Sequence, residues 1–317
     1  LLAGFIQLLI QIAPLRNIDR LPIPKFNFNN EGLRKFLIVI FPAILAGGII
    51  QINLLVDTIF ASLLETGSPT WLYVSDRLVQ FPMGIFAIAI GTVLLPTLSK
   101  LDVSKEKLTF INSIKKGQKF VLFIGIPSLI GLMFCAEDLI STIFYRGAFT
   151  ELDVVKSSYS LIAFSFGLPF FMLMKVLTPA FFARKDTKTP MYVAIISLFL
   201  NASLNYLLAF TFGLGHVGIA IGSSIAALVS VIILEAILYK DGFLKMNGIF
   251  NKFNLMILLS SAALVAFLYI YTSWINFMEL NQIKRVFFLL IEVTISIAIY
   301  FSISRLVFNR PLKQMFD

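Results

Sequence analysis

The sequence predicts an all-α membrane protein, a polytopic helical bundle of about nine transmembrane segments with the first one partial. Three observations carry that prediction. Hydrophobic residues make up 58% of the 317 and charged residues only 14%, with a mean hydropathy of +0.91. A soluble domain cannot hide that much apolar surface behind a polar exterior. The apolar residues also fall in blocks of about 20, the length a helix needs to cross the hydrocarbon layer. Strands of an outer-membrane barrel would alternate over segments of about 10 residues instead, and no such alternation runs through the chain.

The segments fall, in order, at 1–15, 36–64, 69–99, 118–136, 157–183, 189–210, 214–239, 253–274 and 286–304. The first opens on Leu1-Leu2-Ala3-Gly4 with no initiator Met and no basic stretch before it. It reads as the end of a helix in a longer chain rather than as a signal peptide. The second carries Pro42, the third Pro82 and Pro96, the fourth Pro127, and the fifth Pro169 and Pro179. A proline inside a membrane helix marks a kink where neighbours satisfy the freed carbonyl, and so many kinked spans point to a transporter. Gly218 and Gly222 give the seventh segment a small-xxx-small pair, which predicts close helix packing.

The loops orient these segments through their Lys and Arg. Alternate connections hold Arg16, Arg20, Lys25, Arg34 and Lys35, then six lysines between 100 and 119 (Lys115, Lys116 and Lys119 among them). Arg184, Lys185 and Lys188 follow, then Lys240, Lys245 and Lys252, and at the end Arg305, Arg310 and Lys313. The intervening connections hold only Arg146, Lys156, Lys284 and Arg285. That is twenty cations against four, which places the first connection and the C-terminus in the cytoplasm. The same spread accounts for the net charge of +9. It predicts membrane lipids with anionic headgroups as partners, and no nucleic acid. Residues 16–34, around Pro22 and Pro24, read either as a segment lying along the membrane surface or as an ordinary tether. Cys135 is the one cysteine and His216 the one histidine, which excludes a disulfide and a multi-histidine metal site. His216 is expected in a loop or at a helix end.

The informative residues are the polar ones inside the spans: Asp57, Asp76, Arg77, Lys175, Glu235 and Glu292. A charge near the bilayer centre costs about 2.5–3.5 kcal/mol on insertion scales, so such groups face a bundle interior or a water-filled cavity. Glu235 and Lys175 lie near basic span ends and are expected to snorkel toward an interface. Arg285 and Glu292 are seven residues apart on one helix face, and a structural pair or an interfacial residue is expected there. Asp76 and Arg77 are adjacent, so on a helix they diverge by about 100° and cannot neutralise each other on one face. Arg77 is then either a cavity guanidinium awaiting a phosphate, which it matches by two parallel charge-assisted bonds, or half of an interhelical salt bridge. Asn201 and Asn205 are four apart and share a face, and Ile219 and Ser223 repeat that spacing in the next segment. With Asp57, and a loosened backbone carbonyl, they make either an all-oxygen cation site or an interhelical hydrogen-bond cluster.

These residues also carry a resemblance. The runs Asp57-Thr58-Ile59-Phe60-Ala61-Ser62, Gly67-Ser68, Asp76-Arg77, Phe81-Pro82 and Gly91-Thr92-Val93-Leu94-Leu95-Pro96 resemble the MurJ (MviN) family of lipid II flippases. So do Gly147-Ala148-Phe149-Thr150, Lys175 through Phe182, and Lys185-Asp186-Thr187-Lys188-Thr189-Pro190. The likeness covers essentially the whole chain. It implies the second lobe of a two-lobe, pseudo-symmetric transporter of the multidrug/oligosaccharidyl-lipid/polysaccharide exporter superfamily, with two further C-terminal helices. On that plan residues 1–15 end the first lobe, 16–35 form a basic cytoplasmic linker and 36–239 the six helices of the second lobe. Residues 240–252 form a cytoplasmic loop, and 253–317 two groove helices and a tail. The resemblance implies movement of undecaprenyl-pyrophosphate-linked peptidoglycan precursor across the bacterial inner membrane by alternating access, without enzymatic chemistry. It implies that Arg77, with Asp76, contacts the pyrophosphate. It further implies that Asp57, Asn201, Asn205, Ile219 (by its carbonyl) and Ser223 correspond to a sodium site of some members, with Na+ as coupling ion and no other cofactor. The implied partners are lipid II and the first lobe, which this chain lacks. The competing readings are a drug or polysaccharide exporter of the same superfamily, and a membrane enzyme acting on lipid-linked substrates. A groove built by the last two helices would favour the polyprenyl lipid over a drug. The enzyme would need a cluster of acids or bases at one membrane face.

Overall fold

A computed structural model describes residues 2–17, 31–102, 105–244 and 252–308 of the chain. Among these residues every regular element is helical. Eight helices are long and apolar enough to cross a bilayer, and the first predicted segment becomes α1 (Leu2–Asn17), a helix of only 16 residues. The expected surface segment around Pro22 and Pro24, and the cations Arg20, Lys25, Lys245, Arg310 and Lys313, lie outside the described residues.

The backbone divides into two units, Leu1–Ile40 and Phe41–Asp317. The first holds α1 and the opening turns of α2 (Glu31–Ser62). The second holds the rest of α2 and the bundle. There, α3 (Ser68–Pro82), a π-helical stretch (Met83–Ile88) and α4 (Ala89–Ser99) form one continuous span. The following helices are α5 (Lys107–Phe134), α6 (Ala136–Phe144), α7 (Glu151–Ala183) and α8 (Lys188–Asn205). A second π stretch (Tyr206–Thr211) leads to α9 (Gly215–Lys240). The last spans are α10 (Lys252–Trp274) and α11 (Gln282–Phe308), joined through a short 3-10 turn (Phe277–Glu279).

The bundle is built around α7, which packs against α3, α4, α5, α6 and α9. Its start is fixed by Thr150, which accepts from the Asp153 N–H while the Asp153 carboxylate accepts from Thr150, a reciprocal cap that satisfies two orphan donors. The second core helix, α9, gains its close approach from small residues. A Cβ on Gly218 would sit 2.7 Å from the Leu208 backbone and one on Gly222 would sit 2.6 Å from Asn205 Oδ1, so the small-xxx-small pair does what its spacing predicts. Helices α10 and α11 pack on each other and against α5 through Phe123, Ile130, Met256, Leu264, Leu268 and Tyr300.

Two differences from the sequence reading have plain causes. Helix α5 begins at Lys107, well before the expected 118. Hydropathy marks only the apolar stretch, so Lys115 and Lys116 sit on helical turns that precede it. The kink expected at Pro82 takes the form of a π stretch: proline supplies no N–H to the preceding turn, and the register slips directly after it. Nothing comparable was foreseen after Asn205, where no proline stands.

Candidate functional site

Arg77 lies nine residues inside the span Ser68–Ser99, about 14 Å from its end at helical rise. Its side chain is exposed, and it is held by its own helix. Nη1 donates to Gln80 Oε1 at 3.2 Å, and the guanidinium lies 4.7 Å over the Tyr73 ring. Gln80 passes the contact on by donating to the Asp76 carboxylate. Tyr73 and Gln80 each stand three or four residues from both Asp76 and Arg77, so Gln80 can reach both of the diverging charges. The sequence reading found the two charges but missed Tyr73 and Gln80, although their spacing to Asp76 and Arg77 was the available signal. No ion pair joins Arg77 or Asp76 to another helix among the described residues.

Asp57, Asn201, Asn205 and Ser223 come together from three helices. The Nδ2 groups of Asn201 and Asn205 each donate to Asp57 Oδ1 at 2.6 Å. Ser223 Oγ donates to Asp57 Oδ2 at 3.2 Å and lies 3.3 Å from Asn201 Oδ1. Asn53, one turn before Asp57 and missed by the sequence reading, accepts from Asn201 at 2.9 Å. Both asparagines of α8 are fully buried, and Asn205 Oδ1 has no partner. A buried acceptor left unpaired costs about 1–3 kcal/mol. Carboxylate, amide and hydroxyl oxygens suit a hard cation. A half-turn of either amide exchanges its NH2 for its oxygen, so the same side chains can serve the carboxylate alone or an ion beside it. Ile219 is fully buried one turn before Ser223, within the regular helix α9. This polar cluster ties α2 to α8 and α9, and Phe60 adds a ring contact with Phe210 at 5.9 Å between centroids.

The family model for lipid II flippase MurJ matches residues 1–294. The chain belongs to the MurJ family. A Vibrio cholerae protein named "Probable lipid II flippase MurJ" is 42% identical over 241 residues, which is 76% of this chain and 46% of that protein. A Haemophilus influenzae protein of the same name is 37% identical over 306 residues, 94% of this chain and 59% of that one. The chain therefore spans about half the length of the curated relatives it matches. A solved structure of lipid II flippase MurJ in an inward closed conformation superimposes with a TM-score of 0.70 at 28% identity. It covers 92% of this chain and 58% of that one. An outward-facing multidrug resistance MATE transporter of the MOP superfamily gives 0.58 at 15% identity, covering 74% and 53%, a likeness of fold alone.

In this MurJ-family chain Glu235 and Glu292 find partners that the sequence does not announce. Glu235 does not snorkel freely: its Oε1 accepts from Gln118 Nε2 at 2.7 Å, tying α5 to α9. Arg285 and Glu292 do not pair. Arg285 donates to the carbonyls of Phe277 and Met278 at 2.8 and 2.9 Å, because carbonyls of the adjoining turn lie nearer than a carboxyl two helical turns away. Glu292 instead accepts from the Cys135 thiol at 3.1 Å. Lys175 is half-buried. His216 stands at the start of α9, as expected of a helix end, where Nε2 meets the Lys156 carbonyl at 3.0 Å and the ring stacks 4.8 Å from Trp71. Asp138, buried on α6, was missed altogether.

Proposed function

We propose that the chain supplies the second lobe and two further helices of a flippase that carries lipid II from the cytoplasmic to the periplasmic leaflet of the bacterial inner membrane. Residues 36–239 form the lobe, 253–317 the added helices and cytoplasmic tail, and 16–35 the linker to a first lobe that completes the cavity. The observation that carries this reading is Arg77. An exposed guanidinium about 14 Å inside a span is too costly against lipid, so it faces a polar cavity. With two of its faces steadied by Gln80 and Tyr73, its remaining donors are turned to the planar fork that phosphate oxygens accept. Arg77 then binds the pyrophosphate, and Asp76, through Gln80, fixes the guanidinium's direction.

Helices α10 and α11 favour a polyprenyl substrate over a drug. The MATE transporter covers 74% of the chain against 92% for the MurJ structure, the difference two additional helices would make. Their outward faces carry Leu258, Ile270, Phe287 and Leu290, all more than half exposed, as lipid or a polyprenyl tail requires. We infer further that Asp57, Asn201, Asn205 and Ser223, with Asn53, hold sodium in one state of the transport cycle. Because these residues tie α2 to α8 and α9, an ion bound there would bias the position of α2.

The test is lipid II translocation in proteoliposomes by the full-length protein that contains this chain. Each charged hydrogen bond contributes about 1.5–3 kcal/mol, so Arg77→Ala should slow translocation at least tenfold to a hundredfold while insertion stays normal. Arg77→Lys should recover part of the rate, because an ammonium keeps the charge but lacks the fork. A normal rate for inserted Arg77→Ala would refute the assignment.

A further inference from the structure

Where α5 gives way to α6, the backbone leaves helical geometry at Cys135 (φ −92°, ψ 16°). The break sets the Cys135 thiol, 4% exposed, against Glu292 of α11, which is fully buried. One turn further along α6 stands Asp138, 7% exposed. Each carboxyl keeps an oxygen without a partner, Asp138 Oδ2 and Glu292 Oε2, and so does the buried Thr142 Oγ1 one turn beyond Asp138. No basic group lies within ion-pair distance of either carboxyl among the described residues.

The other charged and titratable groups around this seam are engaged elsewhere. Arg285, on the same helix as Glu292, is spent on the carbonyls of Phe277, Met278 and Ser141 and on the Tyr145 ring at 4.8 Å. From α10, the Tyr271 hydroxyl donates to the Phe288 carbonyl at 2.9 Å. Glu279 of the 3-10 turn holds Asn276, and Glu137 of α6 is exposed. On α7, Asp153 and Lys156 turn to Trp71 and Glu65. Two buried carboxylates with no cation and free oxygens cannot both be ionised, since desolvation and mutual repulsion act in the same direction. A proton on the free oxygen removes both penalties.

We propose that Cys135, Asp138 and Glu292 form a proton-binding site between α6 and α11, and that its protonation holds α11 against the lobe. The proton comes from water and returns to it, and only an O–H bond forms or breaks. Helix α11 is otherwise lightly held: just 11% of its spanning window is buried. Besides the Arg285 and Tyr271 contacts above, its polar ties among the described residues include Gln282 to the Thr142 carbonyl at 2.7 Å, Tyr300 to the Phe123 carbonyl at 2.9 Å, and Ser304 to Ser260 at 2.9 Å. Ionisation of the pair draws water into the seam and loosens this edge of the bundle. The site's chemistry does not depend on which lipid is carried. Burial, reinforced by the charges of Glu292 and Glu137, pushes Asp138 up to about 8, in the direction this arrangement requires.

Infrared titration of the protein in lipid nanodiscs tests the proposal through the C=O stretch of protonated carboxyls. Wild type should keep a carboxyl band at neutral pH that disappears above about pH 8. Asp138→Asn should delete that component, and Glu292→Gln should move it to lower pH by removing a like charge. In parallel, alkylation of Cys135, followed by peptide mass spectrometry, should accelerate over the same range. The rise should exceed the tenfold per pH unit that thiol ionisation alone gives, and the excess should vanish in Asp138→Asn. Both amides mimic the neutral acids, so both variants should fold. A wild-type spectrum whose neutral-pH carboxyl band is unchanged by either variant would overturn the site. So would an amide variant that fails to fold, because a neutral side chain would then be unacceptable there.

Discussion

Replacing Gly222 by Ala adds a single methyl group at the centre of the Asp57 cluster. The new Cβ would meet Asn205 Oδ1 at 2.6 Å, Leu204 Cβ at 3.3 Å and Asn201 Oδ1 at 3.5 Å. Ordinary contact begins at 3.4 Å, so Asn205 has to retreat by about 0.8 Å. It cannot retreat freely, because the same amide donates to Asp57 at 2.6 Å. Overpacking costs about 1–3 kcal/mol, and weakening a hydrogen bond to a charged, partly buried carboxylate is of similar size. The variant should therefore be destabilised by roughly 1–3 kcal/mol, and the oxygens that would face a cation are the ones displaced. Thermal unfolding in matched sodium and potassium chloride measures both effects. Wild type should melt higher in sodium, by the linkage that any native-state ligand produces. Gly222→Ala should melt lower in both salts and lose the sodium increment. Gly131→Ala is the control: nothing lies within 4 Å of its built Cβ, so it should be neutral or slightly stabilising and keep the sodium response. A Gly222→Ala protein with wild-type stability and an intact sodium increment would show that neither the close packing nor the ion reading holds.

Three further outcomes follow from the hydrogen-bond geometry. Gln118→Ala leaves the Glu235 carboxylate without its donor and should cost about 1–3 kcal/mol, whereas Glu235→Gln, which can still accept, should cost less; equal and negligible effects would return Glu235 to the role of a free interfacial group. Gln80→Leu removes the bridge between Asp76 and Arg77, and transport should fall several-fold without reaching the Arg77→Ala level; a full loss would mean that Gln80 touches the substrate itself. For Asp138, the folded value of about 8 stands above the ordinary 3.8, so its contribution is fully present below pH 3.8 and is lost as pH rises through 8. Stability should accordingly fall with pH across that window, by up to about 1.4 kcal/mol per pH unit. Asp138→Asn should flatten the slope, and an unchanged slope would assign it to other groups.

The spans were legible because the hydrocarbon layer imposes a length and a composition that local sequence must meet by itself. The candidate residues were legible for a related reason: Asp57, Asp76 and Arg77 are conspicuous where apolar residues are the rule. What the sequence concealed was pairing across helices. Nothing local tells that Gln118 reaches Glu235, 117 residues away, or that Cys135 reaches Glu292. The expected Arg285–Glu292 pair failed because helical spacing fixes only a shared face, while the break at Cys135 decides which neighbour lies opposite. Asp138 was overlooked because it belongs to a short helix beyond the α5 span, where a carboxylate is unremarkable until burial makes it costly.

The two π stretches connect these observations. One begins six residues after Arg77 and the other directly after Asn205, so each polar group sits on regular helix just ahead of a turn with weakened register. A π turn shifts the phase of everything that follows it, and such turns are where helices bend with least loss of hydrogen bonding. Pro82 explains the first. The second has no proline; there the Gly218 position of α9 lies against the backbone of Leu208 and Ala209 at a separation no Cβ would permit. Close packing of α9, rather than a missing donor, is what accompanies the altered turn. The small residues of α9 therefore act twice, once at Gly218 on the turn and once at Gly222 on the amide oxygens of Asn201 and Asn205. A change in how α9 seats against α8 would be felt at the polar cluster and at the turn together, which is the coupling a transporter needs between an ion site and a bending helix.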